Sequence, residues 1–190
     1  HVVFSFDMDT HSPSVNCSCE EPSRDQINPG TNPICFFHGL HVGGIIFANH
    51  NRDSVAGVCP NAGLINISHS FKLDEDTCIR KLAEAIHLSV LHGAKVINNS
   101  WECPKTQNNQ VSTSLLEDAI DTALAHDCLI VFAAGNHASG DYAESSVSYP
   151  ANYKPELLVV GAINPDFTRQ QCSSYGPNLD IVAPGLDILS

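Results

Sequence analysis

The chain has 190 residues, of which 43% are hydrophobic and 16% are charged. This length is enough for one domain with a sizeable core, but it is short of two independent domains. Its 21 Asp and Glu residues outnumber its 9 Lys and Arg residues, so the formal net charge is -12. A field of this sign repels phosphate backbones and anionic lipid, which argues against nucleic acid and membrane surfaces as partners and favours cationic peptides.

The first part of the chain predicts strands, a long loop and one small helix. The apolar run at residues 2–6 predicts a strand, and a sequence that opens inside such a run is expected to come from a longer protein. Residues 10–33 are rich in Ser, Pro, Asn and Asp and predict a long surface loop. Residues 41–49 are mostly small and apolar and predict a buried helix, and residues 63–68 predict a short strand.

The clearest helix is predicted to start at an N-cap of Asp76 or Thr77 and to stop at Gly93, which can adopt the left-handed conformation. Its apolar side chains recur at helical spacing: Ile79, Leu82, Ala83, Ile86 and Val90. A second amphipathic helix is predicted over residues 114–126.

The remaining apolar runs predict four strands, at residues 94–98, 128–134, 157–163 and 179–182. Strands that are apolar throughout and alternate with helices indicate an α/β fold whose mostly parallel central sheet is covered by helices on both faces. Ligands bind outside the carboxyl ends of such strands, so chemistry is expected near Asp7, residues 98–102 and residues 135–136.

Eight cysteines stand at positions 17, 19, 35, 59, 78, 103, 128 and 172. The chain is too large to need disulfides for stability, and Cys17-Ser-Cys19 has no second pair to complete a zinc site. Cys59, Cys128 and Cys172 lie in or beside apolar segments, where cysteine behaves as a small hydrophobe. The cysteines are therefore predicted to be mostly buried free thiols.

The segment from His38 to Gly44, H-G-L-H-V-G-G, places a histidine where a loop meets a small-residue helix. The glycines allow close packing of the helix and close approach of a peptide, so His38 is a candidate general base. Two other interpretations stay open. His38 could be a structural histidine at a helix start, or it could form a metal-binding pair with His41, three residues along one helical face.

A second signal is the run I-V-F-A-A-G-N at residues 130–136, in which a buried strand ends in two alanines, a glycine and an asparagine. The small residues leave space above the end of the sheet, and the Asn136 amide is a neutral donor that could face an oxyanion. The alternative is a turn asparagine that hydrogen-bonds its own backbone.

Taken with the blocks that follow them, these segments resemble the subtilisin-like serine proteases (subtilases). The matching blocks run from Asp7 to Ser190 in the family order: H-G-x-H-V-x-G, G-V-x-P-N-A, V-I-N-x-S, A-A-G-N, Y-P-A, V-G-A, S-x-Y-G and A-P-G-x-x-I. The resemblance implies a three-layer subtilisin-like fold and serine endopeptidase activity by an Asp-His-Ser triad with an Asn oxyanion hole.

By this resemblance His38 is the general base and Asn136 supplies the oxyanion-hole amide. The acid that orients His38 should end the first strand. Asp7 directly follows the apolar run and is preferred to Asp9, because a sheet fixes a carboxylate at a strand end. An ungapped alignment would place Ser5 there instead.

Three departures from the family pattern affect the expected site. Ser100, Trp101 and Glu102 occupy the stretch that binds substrate as an added strand, where the family normally has glycine at the third position. Glu102 should narrow or charge the first specificity pocket and favour basic residues near the scissile bond. Leu40 replaces the usual threonine between the two histidines, and the G-T-S-x-A-x-P block is missing, since Ser190 lies outside any such context.

The sequence therefore predicts that residues 1–190 form a single partial subtilase catalytic domain, inactive alone, whose nucleophile comes from a missing C-terminal segment or a complementing chain. Two alternatives to a serine endopeptidase stay open: an inactive subtilase-fold protein that binds peptides, and a maturation peptidase of a peptide natural-product pathway. The expected partner is a peptide or protein substrate. Secretion is usual in the family, whereas free thiols would suit the cytoplasm.

No cofactor is expected to be required for the chemistry, and no metal is assigned to the site. Members of the family often bind calcium, and the loop around Asn51 resembles the calcium loop of the family. His50 and Arg52 flank it without the oxygen ligands that calcium prefers. A structural calcium is therefore an open expectation at this loop.

Overall fold

The structure is a computed structural model in which residues 2–8, 12–13, 38–50, 55–68, 74–103, 110–136 and 146–190 are described. The chain forms two compact units, His1–Ser70 with Leu189–Ser190, and Phe71–Ile188. Each unit combines its own sheet with one or two helices, which confirms the α/β class. No helix in the described ranges is long and apolar enough to cross a membrane.

The first unit contains β1 (Val2–Asp7), β2 (Ser12–Pro13), α1 (His38–Phe47) and β3 (Leu64–Ser68). Its sheet has the order β2-β1-β3, in which β1 is parallel to β3 and antiparallel to β2. The prediction of one loop over residues 10–33 was therefore wrong at β2. Two residues carry too little apolar pattern to be recognised as a strand, and their pairing with β1 decides their conformation.

Helix α1 begins at His38, earlier than the predicted start at residue 41, and none of its residues is fully buried. Residues 57–58 pack against the C-terminal end of α1. Val58 N donates to Ile45 O at 3.0 Å, and Gly57 N donates to Ala48 O at 2.8 Å. Gly57 permits this approach, because a Cβ there would come within 2.8 Å of the Ile46 carbonyl oxygen. The predicted burial was wrong, since an apolar sequence buries a helix only where another element covers it.

The second unit contains two helices and four strands: α2 (Glu75–Leu91), β4 (Val96–Asn99), α3 (Gln110–Ala125), β5 (Leu129–Ala133), β6 (Leu158–Ile163) and β7 (Ile181–Pro184). The strands are all parallel in the order β4-β5-β6-β7. The predicted elements are all present, with boundaries shifted by up to four residues at the start of α3.

The N-cap of α2 is Asp74, not the predicted Asp76 or Thr77. Its Oδ1 accepts a hydrogen bond from Thr77 N at 3.0 Å, and this bond lowers the pKa of the Asp74 carboxyl. Asp76 instead accepts from Arg80 Nε one turn later, at 2.6 Å. The helix stops as predicted, with Gly93 in the left-handed conformation at φ 81°.

The core of the second unit lies between one face of the sheet and the two helices. Burial alternates along β4 and β5, so Ile97, Ile130 and Phe132 point towards the helices. The helices contribute the apolar faces predicted from their periodicity: Ile79, Leu82, Ala83 and Ile86 from α2, and Leu116, Ala119, Ile120 and Ala123 from α3. This packing fixes the carboxyl ends of β4 and β5 side by side.

The cysteines differ in exposure. Cys128 is a buried free thiol as predicted, Cys172 is half-buried, and Cys59 is exposed, so its predicted burial was wrong. Cys59 follows the hydrogen-bonded segment at the end of α1 rather than entering a core, because its backbone N–H donates to Ile46 O at 2.8 Å and its side chain faces outward.

We expect iodoacetamide at pH 8 to alkylate Cys59 of the folded chain well before Cys103. Burial raises the pKa of the Cys103 thiol to about 12, so its thiolate fraction at pH 8 is about 10³-fold below that of an ordinary thiol. Peptide mapping by mass spectrometry follows each site, and Cys59→Ser should remove the early label. Early alkylation of Cys103 would contradict the burial of its thiol.

Candidate active site

Asp7 is the last residue of β1 and is half-buried. Its backbone pairs with Ser68 on one side and Ser12 on the other. The next residue continues the pairing, because Met8 N donates to Ser68 O at 2.9 Å. The sheet therefore fixes the Asp7 backbone, as predicted for a carboxylate at a strand end. Asp9, the alternative acid, lies outside the described residues.

His38 is the first residue of α1, in the same unit as Asp7, and its side chain is exposed. His41 is exposed one turn along the helix. Within the described ranges, no group of three or more His, Cys, Asp or Glu side chains is arranged to hold a metal ion. The histidine therefore stands at a helix start beside an accessible surface, a position from which an imidazole can accept a proton.

Ser190 contacts α1 through its hydroxyl group. Ser190 Oγ donates to His41 O at 2.6 Å, and a Cβ on Gly44 would overlap it. This hydroxyl is thus hydrogen-bonded to a helix carbonyl, and the assignment of the nucleophile to another serine stays a prediction.

The second unit places Asn136 directly after β5, where residues 173–174 hold the backbone. Gly135 O accepts from Ser174 N at 3.0 Å, and Asn136 pairs in the antiparallel sense with Ser173. The Asn136 side chain is exposed, and it makes no hydrogen bond within the part of the chain that the structure describes. An exposed amide at this strand end is a neutral donor of the kind that can face an oxyanion, and its role stays a prediction.

The segment 100–102 follows β4 and is anchored at both ends. Ser100 Oγ accepts from Asn98 Nδ2 at 3.0 Å, and Cys103 N donates to Tyr149 O at 3.1 Å. Between them, the Trp101 ring packs edge-to-face on Phe132, with 5.3 Å between centroids. The indole therefore anchors the segment to the core, while Glu102 is exposed.

Glu102 and Asn136 lie on the same side of the second unit, because both follow neighbouring parallel strands at their carboxyl ends. Glu102 Oε2 lies 2.6 Å from the position that a Cβ on Gly135 would occupy. Glu102 of the predicted substrate segment thus lies beside Gly135, and Gly135 directly precedes the predicted oxyanion donor Asn136.

Sequence reasoning did not include Ser148 and Ser174 in the site. Ser148 directly precedes the Y-P-A block, and its Oγ lies against Gly135, while Ser148 N donates to Ala134 O at 2.9 Å. Ser174 is fully buried, and its hydroxyl has no hydrogen-bond partner among the described residues. The S-x-Y-G block that contains Ser174 contributed to the family resemblance, but it did not indicate that Ser174 would be buried beside Gly135.

Comparisons with known proteins support the family. The sequence model of the subtilase family matches residues 6–189. The chain is 35% identical over 153 residues to subtilisin BL of Lederbergia lenta, covering 80% of this chain and 52% of that protein. The maturation protease of prenylagaramide, PagA, superposes with a TM-score of 0.62 at 28% identity, over 80% of this chain and 53% of that chain.

The PatG macrocyclase, solved in complex with a peptide, superposes with a TM-score of 0.65 at 25% identity, over 97% of this chain and 58% of that chain. The chain thus spans about half the length of the curated subtilisins it matches. The family match covers nearly all of the 190 residues and includes both strand-end segments described above. The chain belongs to the subtilase family.

Proposed function

We propose that the complete protein is a serine endopeptidase of the subtilisin type. The observation that carries the proposal is the placement of an exposed His38 at the start of α1 and an exposed, backbone-fixed Asn136 after β5, in a chain of this family. Asp7 orients His38, and the nucleophilic serine belongs to a segment outside residues 1–190.

The proposed reaction proceeds through an acyl-enzyme. The serine oxygen attacks the scissile carbonyl carbon while His38 takes the hydroxyl proton. Asn136 and a backbone N–H donate to the oxyanion of the tetrahedral intermediate. The proton held by His38 passes to the leaving amine. Water then attacks the acyl carbon while His38 takes its proton, and this proton returns to the serine oxygen as the acid product leaves.

The peptide is expected to lie along residues 100–102 as an added strand, which suits a segment that is anchored to the core. The chemistry needs no cofactor in this proposal. A structural calcium near Asn51 stays a prediction, because residues 51–54 lie outside the described residues.

The structural neighbours favour a second candidate, a maturation peptidase that acts on a precursor peptide. PagA is named as a maturation protease, and PatG as a macrocyclase. In that case the acyl group would pass to an amine of the peptide instead of to water, with the same residues in the same roles. A peptide-binding protein without catalysis is the alternative if the nucleophile is absent.

A fluorophosphonate probe is expected to label the complete protein at one serine outside residues 1–190 and to leave the isolated 190-residue chain unlabelled. Heat-denatured complete protein is the control, because labelling of an activated serine requires the folded site. Intact-mass and peptide mapping identify the labelled residue. Labelling of any serine within residues 1–190 would overturn the assignment of the nucleophile, and a folded complete protein that is not labelled would favour the peptide-binding alternative.

A further inference from the structure

Two side-chain oxygens close over Gly135. The residue has φ 102°, a conformation that side chains rarely adopt. A Cβ built there would overlap the Ser148 hydroxyl and would lie 2.6 Å from Glu102 Oε2. The two oxygens therefore face the same space, close enough for one donor group to contact both.

Neither oxygen is engaged within the described part of the chain. Glu102 and Ser148 have no hydrogen bond or ion pair through their side chains there. Two other carboxylates of the second unit do form ion pairs: Asp76 lies 2.6 Å from Arg80 Nε, and Asp121 lies 2.5 Å from Lys154 Nζ. Glu102 is thus a carboxylate with its acceptor capacity available.

The backbones that carry both groups are fixed before any ligand arrives. On the Glu102 side, the Trp101–Phe132 contact and the Cys103 N–Tyr149 O hydrogen bond hold the segment. On the Ser148 side, the hydrogen bond to Ala134 O ties the residue to the end of β5. Such preorganisation lowers the cost of binding a charged group.

The position of the pair suggests what it binds. Glu102 and Ser148 converge on Gly135, the residue before Asn136. In the proposed function, the Asn136 amide faces the carbonyl of the scissile bond. A side chain of the bound peptide that projects towards Gly135 would meet a carboxylate and a hydroxyl. We propose that Glu102 and Ser148 form a recognition site for the side-chain cation of a lysine or arginine next to the scissile bond.

This inference rests on the proposed function for its substrate. The expected selectivity follows from the geometry: a charge-assisted hydrogen bond to a carboxylate contributes about 1.5–3 kcal/mol, which corresponds to about 10- to 100-fold in kcat/KM. The net charge of -12 would attract any cationic peptide, but it acts over the whole surface and cannot distinguish neighbouring positions of one peptide.

The test uses the complete protein and a set of fluorogenic peptides that differ at one position, with Arg, Lys, Gln, Leu or Glu before the scissile bond. We expect kcat/KM for Arg and Lys to exceed that for Gln by about 10- to 100-fold. Glu102→Gln should abolish this preference, because it should lower kcat/KM for the Arg and Lys peptides far more than for the Gln peptide. Ser148→Ala should reduce the preference by a smaller factor, since it removes a neutral acceptor.

Glu156→Gln is the matched control, because Glu156 is an exposed carboxylate of the same unit and its loss changes the net charge equally. This variant should keep the preference. Equal losses in Glu102→Gln and Glu156→Gln would show that long-range attraction causes the preference, and cleavage without any preference for Arg or Lys would overturn the inference while the proposed function stands.

If the protein cuts none of the peptides, the proposed endopeptidase function fails separately, and binding decides the inference. Fluorescence anisotropy then gives the Kd for the labelled Arg and Gln peptides. Tighter binding of the Arg peptide that is lost in Glu102→Gln would support the recognition site, and equal Kd values would overturn it.

Discussion

Replacing His38 by alanine in the complete protein is expected to lower kcat about 10⁶-fold, as for removal of the base in subtilisin itself. Without the imidazole, the serine hydroxyl keeps its proton and attacks poorly, although the oxyanion donors remain. The side chain is exposed at the start of α1, so its removal should leave the fold intact. Steady-state kinetics with a peptide substrate measures the loss, and circular dichroism checks the fold.

His41→Ala is the matched control, because His41 is exposed on the same helix one turn later. It should retain peptidase activity. Equal losses in the two variants, together with inhibition of the original protein by chelators, would instead support the metal-binding pair that the H-x-x-H spacing also allows.

Replacing Asp7 by asparagine is expected to lower kcat about 10⁴-fold. In the proposed site, the Asp7 carboxylate at the end of β1 holds the imidazole in the correct tautomer and stabilises the imidazolium that forms during the reaction, whereas an amide of the same size would do neither. The loss should fall in kcat rather than in KM, because the substrate makes no contact with this group in the proposed site.

Asp9→Asn provides the comparison, since Asp9 is the other carboxylate that follows the first strand in the sequence. It should change kcat little. If Asp9→Asn shows the large loss and Asp7→Asn does not, the orienting acid is Asp9 and the triad stands with a different member. If neither variant loses activity, the orienting group is not one of these two carboxylates.

The parts of the fold that could be predicted are those whose signal is local. Residues of α2 such as Leu82 and Ile86 repeat at helical spacing, and Gly93 ends the helix by its own conformational freedom, so this element was recognised without its neighbours. The N-cap was misplaced because Asp74 and Asp76 are equally suitable residues, and only the hydrogen bond to Thr77 distinguishes them.

The sequence suggested candidate residues for the site but not how they are arranged. Glu102 and Asn136 could be identified because each follows an apolar strand and belongs to a recognisable block. The convergence of Ser148 on Gly135 could not, because it depends on how the chain returns to β5 through the hydrogen bond to Ala134. Burial of α1 and Cys59 was overestimated for a related reason, since apolar composition does not say which element will cover a segment.

The contact between Trp101 and Phe132 gives the second unit a built-in optical probe. Trp101 is the one tryptophan among the 190 residues, and it is half-buried beside Glu102 in the segment proposed to pair with a peptide. Its emission therefore reports both on the packing of the core against β5 and on the surroundings of the adjoining surface. Occupation of that surface and loosening of the core can thus be followed in the isolated chain without attaching a dye.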